Sequence, residues 1–217
     1  MLRLFAIKNS LFEDDGIFEN QLALVDGQRR EKVNALALRE KKNASLAAGV
    51  ILPLALKKCG IAGEVKIENG MWEKPRLVSP KGVFFNLSHS GEWTAAAISD
   101  NEVGVDIQQV KPVDMRLAKR FFTEEEWLRI EGAGDGATEL FYRFWTVKEA
   151  YLKALGTGLS RPLNSFTVRF TQGGAKISDG ECGEEWLVSE FNCFEGYRLA
   201  CVAKEYAPDI PPEILTL

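Results

Sequence analysis

The stretch "VFFNLSHSGEWTAAAISDNEVGVDIQ", residues 83–108, decides how the rest of the chain is read. Residues 83–88, 93–99 and 103–108 are apolar and β-prone, and the short turn-like segments His89-Ser90-Gly91 and Asp100-Asn101 separate them. That pattern predicts a three-stranded meander. In the last strand, alternation puts Val103, Val105 and Ile107 on one face and Gly104, Asp106 and Gln108 on the other. Asp106 needs a partner there, because a buried carboxylate is costly unless it is paired, hydrogen-bonded or metal-bound. A strand-end aspartate meeting water or an arginine is the plainer reading of this segment alone. His89 is the single histidine of 217 residues, and a lone histidine is most often structural, so a function for it requires company elsewhere.

Working outward, residues 27–60 read as two helices with basic punctuation and a stop at Gly60, after an opening strand at the N-terminus. Residues 64–79, "EVKIENGMWEKPRLVS", read as extended structure around an Asn69-Gly70 turn. Beyond the meander, Asp114 to Ile130 is helical in pattern and Gly132 to Gly136 is a break. Residues 138–155 form a second helical run, ending at Gly156 and Gly158. Residues 163–204 return to strands, in "FTVRF", "EEWLVSEF" and "YRLACVAK". The order predicts an α+β protein of two comparable halves, residues 1–102 and 103–217, although no internal repeat is legible.

Composition narrows the function classes. With 46% hydrophobic residues the chain can bury a substantial core, and its formal net charge of −4 argues against a duplex nucleic-acid binder. Nothing approaches the ~18 consecutive apolar residues of a membrane span, and the charged N-terminus does not resemble a signal peptide. Cys59, Cys182, Cys193 and Cys201 lack C-x-x-C spacing, which with one histidine gives no support for zinc. A reduced cytoplasm is expected, while the pairs 182/193 and 193/201 remain open as cross-strand disulfides.

In the helical run Trp145, Glu149 and Lys153 stand at i, i+4 and i+8, along one face. Glu149 and Lys153 alone would be an ordinary surface ion pair. If that face meets Asp106, however, two carboxylates with the Gln108 amide beside them make an oxygen-only site suited to Mg²⁺. Arg29 and Lys32 lie one turn apart, followed by Arg39, Lys41 and Lys42, and Lys74 precedes Pro75, which restricts its backbone to extended geometry. Such charge usually marks a solvated face. Together with Ser88 and His89 these donors are also suited to a polyanion. No Walker-type loop and no G-x-G-x-x-G is present.

The ordered set W-E-K-P (72–75), F-N-L-S-H-S (85–90), G-V-D-I-Q (104–108) and F-W-T-V-K-E-A-Y-L-K-A-L-G-T-G-L (144–159) resembles the 4'-phosphopantetheinyl transferases, the surfactin-synthetase-activating type most of all. The resemblance runs from about Arg29 to Phe170. It implies a monomer of two similar α+β halves in pseudo-twofold arrangement, with coenzyme A and Mg²⁺ in the cleft between them. It implies transfer of the 4'-phosphopantetheine arm to a serine of an apo acyl, peptidyl or polyketide carrier protein, with release of 3',5'-ADP. By the same resemblance Asp106, Gln108 and Glu149 are metal ligands, and Glu149 and Lys153 are catalytic. Arg29, Lys32, Lys74, Ser88, His89 and Lys148 are coenzyme contacts, His89 at the 3'-phosphate.

Three departures from the family pattern stand out. Gln108 replaces the second acid of a frequent D-x-E, Glu73 replaces the glycine of G-K-P, and Ala44 stands before Ser45 where an arginine is frequent. Carrier docking is expected on "DMRLAKRFF", residues 114–122. Two rival functions fit less of the sequence: a non-catalytic coenzyme A-binding protein, in which Gln108 marks lost metal chemistry, and a magnesium-dependent nucleotide hydrolase, for which no water-activating motif is present.

Overall fold

The computed structural model describes residues 1–70, 74–204, 208 and 210–217, with Leu159 described by its backbone alone; Trp72 and Glu73 of the W-E-K-P stretch lie outside the described residues. The first half contains β1 (Leu2–Lys8), α1 (Asp15–Leu24), α2 (Gly27–Asn34), α3 (Arg39–Lys58), the hairpin β2 (Lys66–Asn69) and β3 (Pro75–Ser79), then β4 (Phe84–Ser90) and β5 (Trp93–Ser99). The second contains β6 (Val103–Gln109), α4 (Arg116–Phe121), α5 (Glu124–Glu131), α6 (Ala137–Leu155), the hairpin β7 (Thr167–Thr171) and β8 (Gly174–Ser178), β9 (Leu187–Phe191), β10 (Tyr197–Ala203) and β11 (Glu213–Ile214).

Local chemistry accounts for most boundaries. Asp14 and Asp26 accept from the Ile17 and Arg29 amides and so cap α1 and α2. Thr123 and Glu126 form a reciprocal capping box at the start of α5. Gly156, at φ 73°, takes the left-handed conformation that ends α6.

The fold is α+β, as its sequence pattern implies. β4, β5 and β1 form an antiparallel sheet, with Leu87 and Phe5 both opposite Ala96. α3 covers one face of it, packing Leu46, Val50 and Ile51 against Phe5, Ile7 and Ile98. β6, β10 and β9 form a second antiparallel sheet, with Leu199 opposite both Ile107 and Phe191. α6 covers that one, packing Phe144, Val147 and Tyr151 against Ala200 and Val202. Between the sheets lies a third core, in which Leu4, Ala6, Ala95 and Ala97 meet Val103, Val105, Ile107, Leu199 and Cys201. The alternation expected along β6 is therefore observed: its valines and Ile107 face the first sheet, while Gly104 and Asp106 face α6.

The meander expectation fails at its third strand. β4 and β5 pair, but β6 leaves the sheet and pairs with β10. Its other edge runs beside β4, where side chains replace backbone acceptors. The Asn86 Oδ1, Ser88 Oγ and Ser90 Oγ atoms accept from the Val105, Ile107 and Gln109 amides at 2.9, 3.3 and 3.0 Å. Buried amides must find partners, and the N-x-S-x-S alternation of β4 supplies them. The division near residue 102 is also not clean, since β11 returns to the first sheet beside β1 and places Leu215 in the first core.

α6 lies so close on β6 that a Cβ at Gly104 would stand 2.0 Å from the Ala150 carbonyl oxygen and 2.4 Å from the Ala154 nitrogen. Gly104→Ala is therefore expected to cost at least ~1–3 kcal/mol, read as a lower urea midpoint. Gly27→Ala, with nothing within 4 Å of the added methyl, is the control and should leave the midpoint in place. Equal midpoints for the two variants would refute the close approach.

Candidate functional site

Asp106 lies on β6 at 1% exposure and is held by three side chains. Its Oδ1 accepts from Ser88 Oγ at 2.7 Å and from Lys153 Nζ at 2.5 Å, and its Oδ2 accepts from Gln108 Nε2 at 2.9 Å. Lys153 also donates to Ser88 Oγ at 2.9 Å. Charge-assisted bonds of this kind are what a buried carboxylate requires. They come from β4, from β6 itself and from α6, so the cluster straddles the junction of the halves.

Glu149 lies one turn before Lys153 on α6. Its Oε1 is buried without a hydrogen-bond partner. Burial pushes its carboxyl above the ordinary carboxylate range, the Asp106 charge pushes it further, and Lys153 partly opposes them. An orphaned carboxylate oxygen beside a second carboxylate suits a cation. Among the described residues no group of three or more His, Cys, Asp or Glu side chains converges, so further donors must come from neutral oxygens, water or a ligand. Gln108 spends its amide nitrogen on Asp106, which leaves its oxygen available. Oxygen donors of this sort fit Mg²⁺, which keeps several waters, and give no thiolate or imidazole set for zinc.

Next to Ser88 stands His89. Although the residue is exposed, partial desolvation of its ring first, then the charges of Lys153, Lys32 and Arg29, hold its imidazole below its ordinary pKa, while Asp106 opposes them. Three cations thus bear on one neutral ring, which makes a positive basin at the end of β4 nearest Asp106. Arg29 reaches it by laying its stem over α3, where a Cβ at Gly49 would come within 2.8 Å of Arg29 Cγ. Burial lowers the pKa of this guanidinium, with Asp26 opposing.

Lys74 stands elsewhere. Its Nζ donates to Glu102 Oε2 and to the Ala154 carbonyl, each at 2.9 Å. A cation at this place satisfies the C-terminal end of α6 and its dipole. It also borders a cavity of about 530 Å³ whose lining includes Pro75, Leu77, Phe84, Phe85 and Leu155.

Lys148 does not join the cluster, contrary to expectation. It is fully buried, pairs with the equally buried Glu126 at 2.8 Å, and donates to the Leu163 and Phe166 carbonyls at 2.8 and 2.6 Å. Burial lowers its pKa and Glu126 opposes that shift. Glu126 also accepts from the Thr123 and Val168 amides. The sequence reading missed Glu126, although the T-x-x-E capping box, residues 123–126, marked the position. It also missed Asn86 and Ser90, whose alternation with Ser88 was the legible signal. All four cysteines are free, which closes the two disulfide pairings left open.

The sequence profile of the 4'-phosphopantetheinyl transferase superfamily matches residues 102–202. A 4'-phosphopantetheinyl transferase of Bacillus subtilis is 31% identical over 191 residues, spanning 85% of this chain and 84% of its own length. The 4'-phosphopantetheinyl transferase Sfp of Bacillus subtilis (strain 168) is 28% identical over 200 residues, spanning 90% and 88%. Among solved structures, a holo-(acyl-carrier-protein) synthase from Bacillus anthracis in complex with CoA (3',5'-ADP) aligns at 25% identity and a TM-score of 0.40, over 46% of this chain and 92% of that one.

The Lys148–Glu126 pair has a direct test. Lys148→Met leaves a buried carboxylate without its counter-charge and should cost ~3–5 kcal/mol. Lys148→Met combined with Glu126→Gln removes both charges and should recover part of that loss. Urea unfolding checks the order, and a double variant no more stable than Lys148→Met would refute the pairing as the source of the cost.

Proposed function

The chain belongs to the 4'-phosphopantetheinyl transferase superfamily, and from that premise we propose that Asp106, Glu149 and Lys153 form its transfer site. The reaction moves the 4'-phosphopantetheine group from coenzyme A to a serine of an apo carrier protein and releases 3',5'-ADP. The observation that carries the site assignment is the orphaned Glu149 oxygen beside the Asp106–Lys153 pair, next to the cationic basin.

Asp106, Glu149 and the Gln108 oxygen are the residues suited to Mg²⁺, which when bound supplies charge neutralisation at the coenzyme's pyrophosphate. Phosphoryl transfer rests mainly on positioning and on such neutralisation. Lys153, its side chain 27% exposed, lies beside Asp106, from where its ammonium donates to oxygens of the transferring phosphate. The serine oxygen bonds to that phosphorus as the bridging oxygen leaves with 3',5'-ADP. Glu149 also accepts the serine proton, directly or through water. Arg29, Lys32 and His89 take the coenzyme's 3'-phosphate, with Ser88 and Lys74 as further coenzyme contacts.

We place carrier docking on and around α4, where the half-buried Met115 and Phe121 and the exposed Leu117 adjoin Lys119 and Arg120. Arg116 is already engaged by Asp114. A monomer in the cytoplasm completes the proposal: both walls of the site come from one chain, and no described helix is long and apolar enough to cross a membrane.

One assay tests these roles, in which apo acyl and peptidyl carrier proteins are incubated with coenzyme A and Mg²⁺ and the adduct is read by intact mass. Asp106→Ala and Glu149→Ala should each lower turnover at least about a hundred-fold. Gln108→Glu should lower the Mg²⁺ concentration for half-maximal transfer, and Lys119→Glu with Arg120→Glu should raise the carrier KM alone. Normal turnover in Asp106→Ala or Glu149→Ala at ordinary Mg²⁺ would sink the site assignment.

His89 has a separate test. A charge-assisted bond of ~1.5–3 kcal/mol corresponds to about 10- to 150-fold in affinity. His89→Ala should therefore weaken coenzyme A by that factor and leave dephospho-coenzyme A, which lacks the 3'-phosphate, nearly unchanged. In the free protein the ring's pKa is lowered, whereas a bound phosphate favours the imidazolium, so binding takes up a proton. The preference for coenzyme A over dephospho-coenzyme A should then grow as pH falls from about 8 to about 6. Equal losses for the two ligands would return His89 to a structural role.

A further inference from the structure

His89 is the penultimate residue of β4, and only Gly91 and Glu92 stand between that strand and β5. A two-residue hairpin forms without outside help once a glycine takes the left-handed conformation, as Gly91 does at φ 52°. This turn is nevertheless bonded from both halves of the chain. From the first half, Asn9, directly after β1, donates its backbone N–H to the Glu92 carbonyl and its side-chain Nδ2 to the Gly91 carbonyl, each at 2.8 Å. From the second half, the Tyr197 hydroxyl of β10 accepts from the Glu92 amide at 2.9 Å and fills the space a side chain at position 91 would need.

The Asn9 side chain is itself held. Its Oδ1 accepts from Thr94 Oγ1 at 2.7 Å, and the two residues are 5% and 0% exposed. Thr94 stands directly opposite His89 across β4 and β5. Both are on the face that α3 covers, because Leu87, two residues before His89, and Ala96, two after Thr94, belong to the core beneath that helix. Residues paired in this way have Cβ atoms about 4.5–5.5 Å apart. The threonine that orients Asn9 is thus also the cross-strand neighbour of the imidazole.

We propose that Asn9, Thr94 and Tyr197 are positioning residues, which clamp the turn after β4 and so hold His89 where it reaches the coenzyme's 3'-phosphate. The clamp rests on the role given to His89 above. Arg29 and Lys32 lie on α2, a separate element, so a shared phosphate site requires the end of β4 to keep a fixed distance from that helix. A hydrogen bond is sensitive to a few tenths of an ångström, and a buried polar network with every member paired is a rigid support. Asp106, Glu149 and Lys153 are on β6 and α6, outside the turn. The clamp therefore acts on the 3'-phosphate alone and sets the selectivity for coenzyme A over dephospho-coenzyme A. A clamp that served only to hold the sheets together would affect both ligands alike.

Isothermal titration of the full chain with each ligand, in the presence of Mg²⁺, reads this as a ratio of two affinities. Thr94→Val keeps the side chain's shape and removes the bond to Asn9, and Tyr197→Phe removes the bond to Glu92. Each should weaken coenzyme A by about three- to ten-fold, the effect of one hydrogen bond, and leave dephospho-coenzyme A nearly unchanged. Thr94→Ser keeps the hydroxyl and should retain the ratio of the parent protein. In a His89→Ala background, Thr94→Val should move the ratio no further. Circular dichroism verifies that each variant is folded, and either one decides the question if the other is not. The parent ratio in a folded Thr94→Val or Tyr197→Phe, or equal losses for the two ligands, would overturn the clamp while the selectivity lost in His89→Ala stands. A ratio unchanged in His89→Ala itself would overturn the role of His89 and the clamp with it.

Discussion

Where β6 passes beneath α6, the helix backbone occupies the volume in which any residue other than glycine at position 104 would carry its side chain. Ala150 and Ala154 are thereby fixed above Gly104, and their neighbours Glu149 and Lys153 are fixed beside Asp106, two residues along the strand. Hydrogen bonds fail within a few tenths of an ångström beyond ~3.5 Å. A helix lifted by one methyl would strain the Lys153–Asp106 contact and enlarge the gap around Glu149. The Lys153–Asp106 geometry thus depends on an absent side chain at a position that belongs to neither group.

Ser88 couples this contact to the junction of the two sheets. Its hydroxyl donates to Asp106 and accepts from both Lys153 and the Ile107 amide. The same oxygen therefore satisfies a strand-edge N–H and orients the buried carboxylate. Asn86 and Ser90 repeat the first task on either side of it. An ordinary backbone ladder between β4 and β6 would join the halves equally well but would leave no hydroxyl for Asp106. Side-chain acceptors at the seam and a carboxylate on the neighbouring strand belong to one arrangement.

Much of this was legible from periodicity. The alternation of β6 set Gly104 and Asp106 apart from Val103, Val105 and Ile107, and the helical period placed Glu149 and Lys153 on one face. The partner of β6 was not legible, because pairing with β10 joins residues about ninety positions apart and no local signal distinguishes it from pairing with β5. Glu126 was hidden for the same reason, since its partner Lys148 lies on another helix. Lys148 itself carried a signal that the family resemblance overrode. It stands four residues after Phe144 and three before Tyr151, inside the apolar stripe of α6, and about 140° around the helix from Lys153. The wheel assigns it to the core, where a lysine needs a buried acid.

Asp106 and Glu149 share a site but carry opposite debts to solvent. Asp106 has donors on both oxygens, so its charge is compensated within the chain. Glu149 has a buried oxygen with none, and its raised pKa expresses the cost of ionising it there. Because the folded state holds this proton more tightly than the unfolded chain, the group's contribution to stability falls as pH rises from its ordinary value of 4.5 toward its folded one. A cation that binds only the folded protein relieves that cost and adds stability by mass action. The two carboxylates of one site are therefore met differently: Ser88, Gln108 and Lys153 compensate Asp106 within the chain, while the uncompensated charge on Glu149 weakens the free protein.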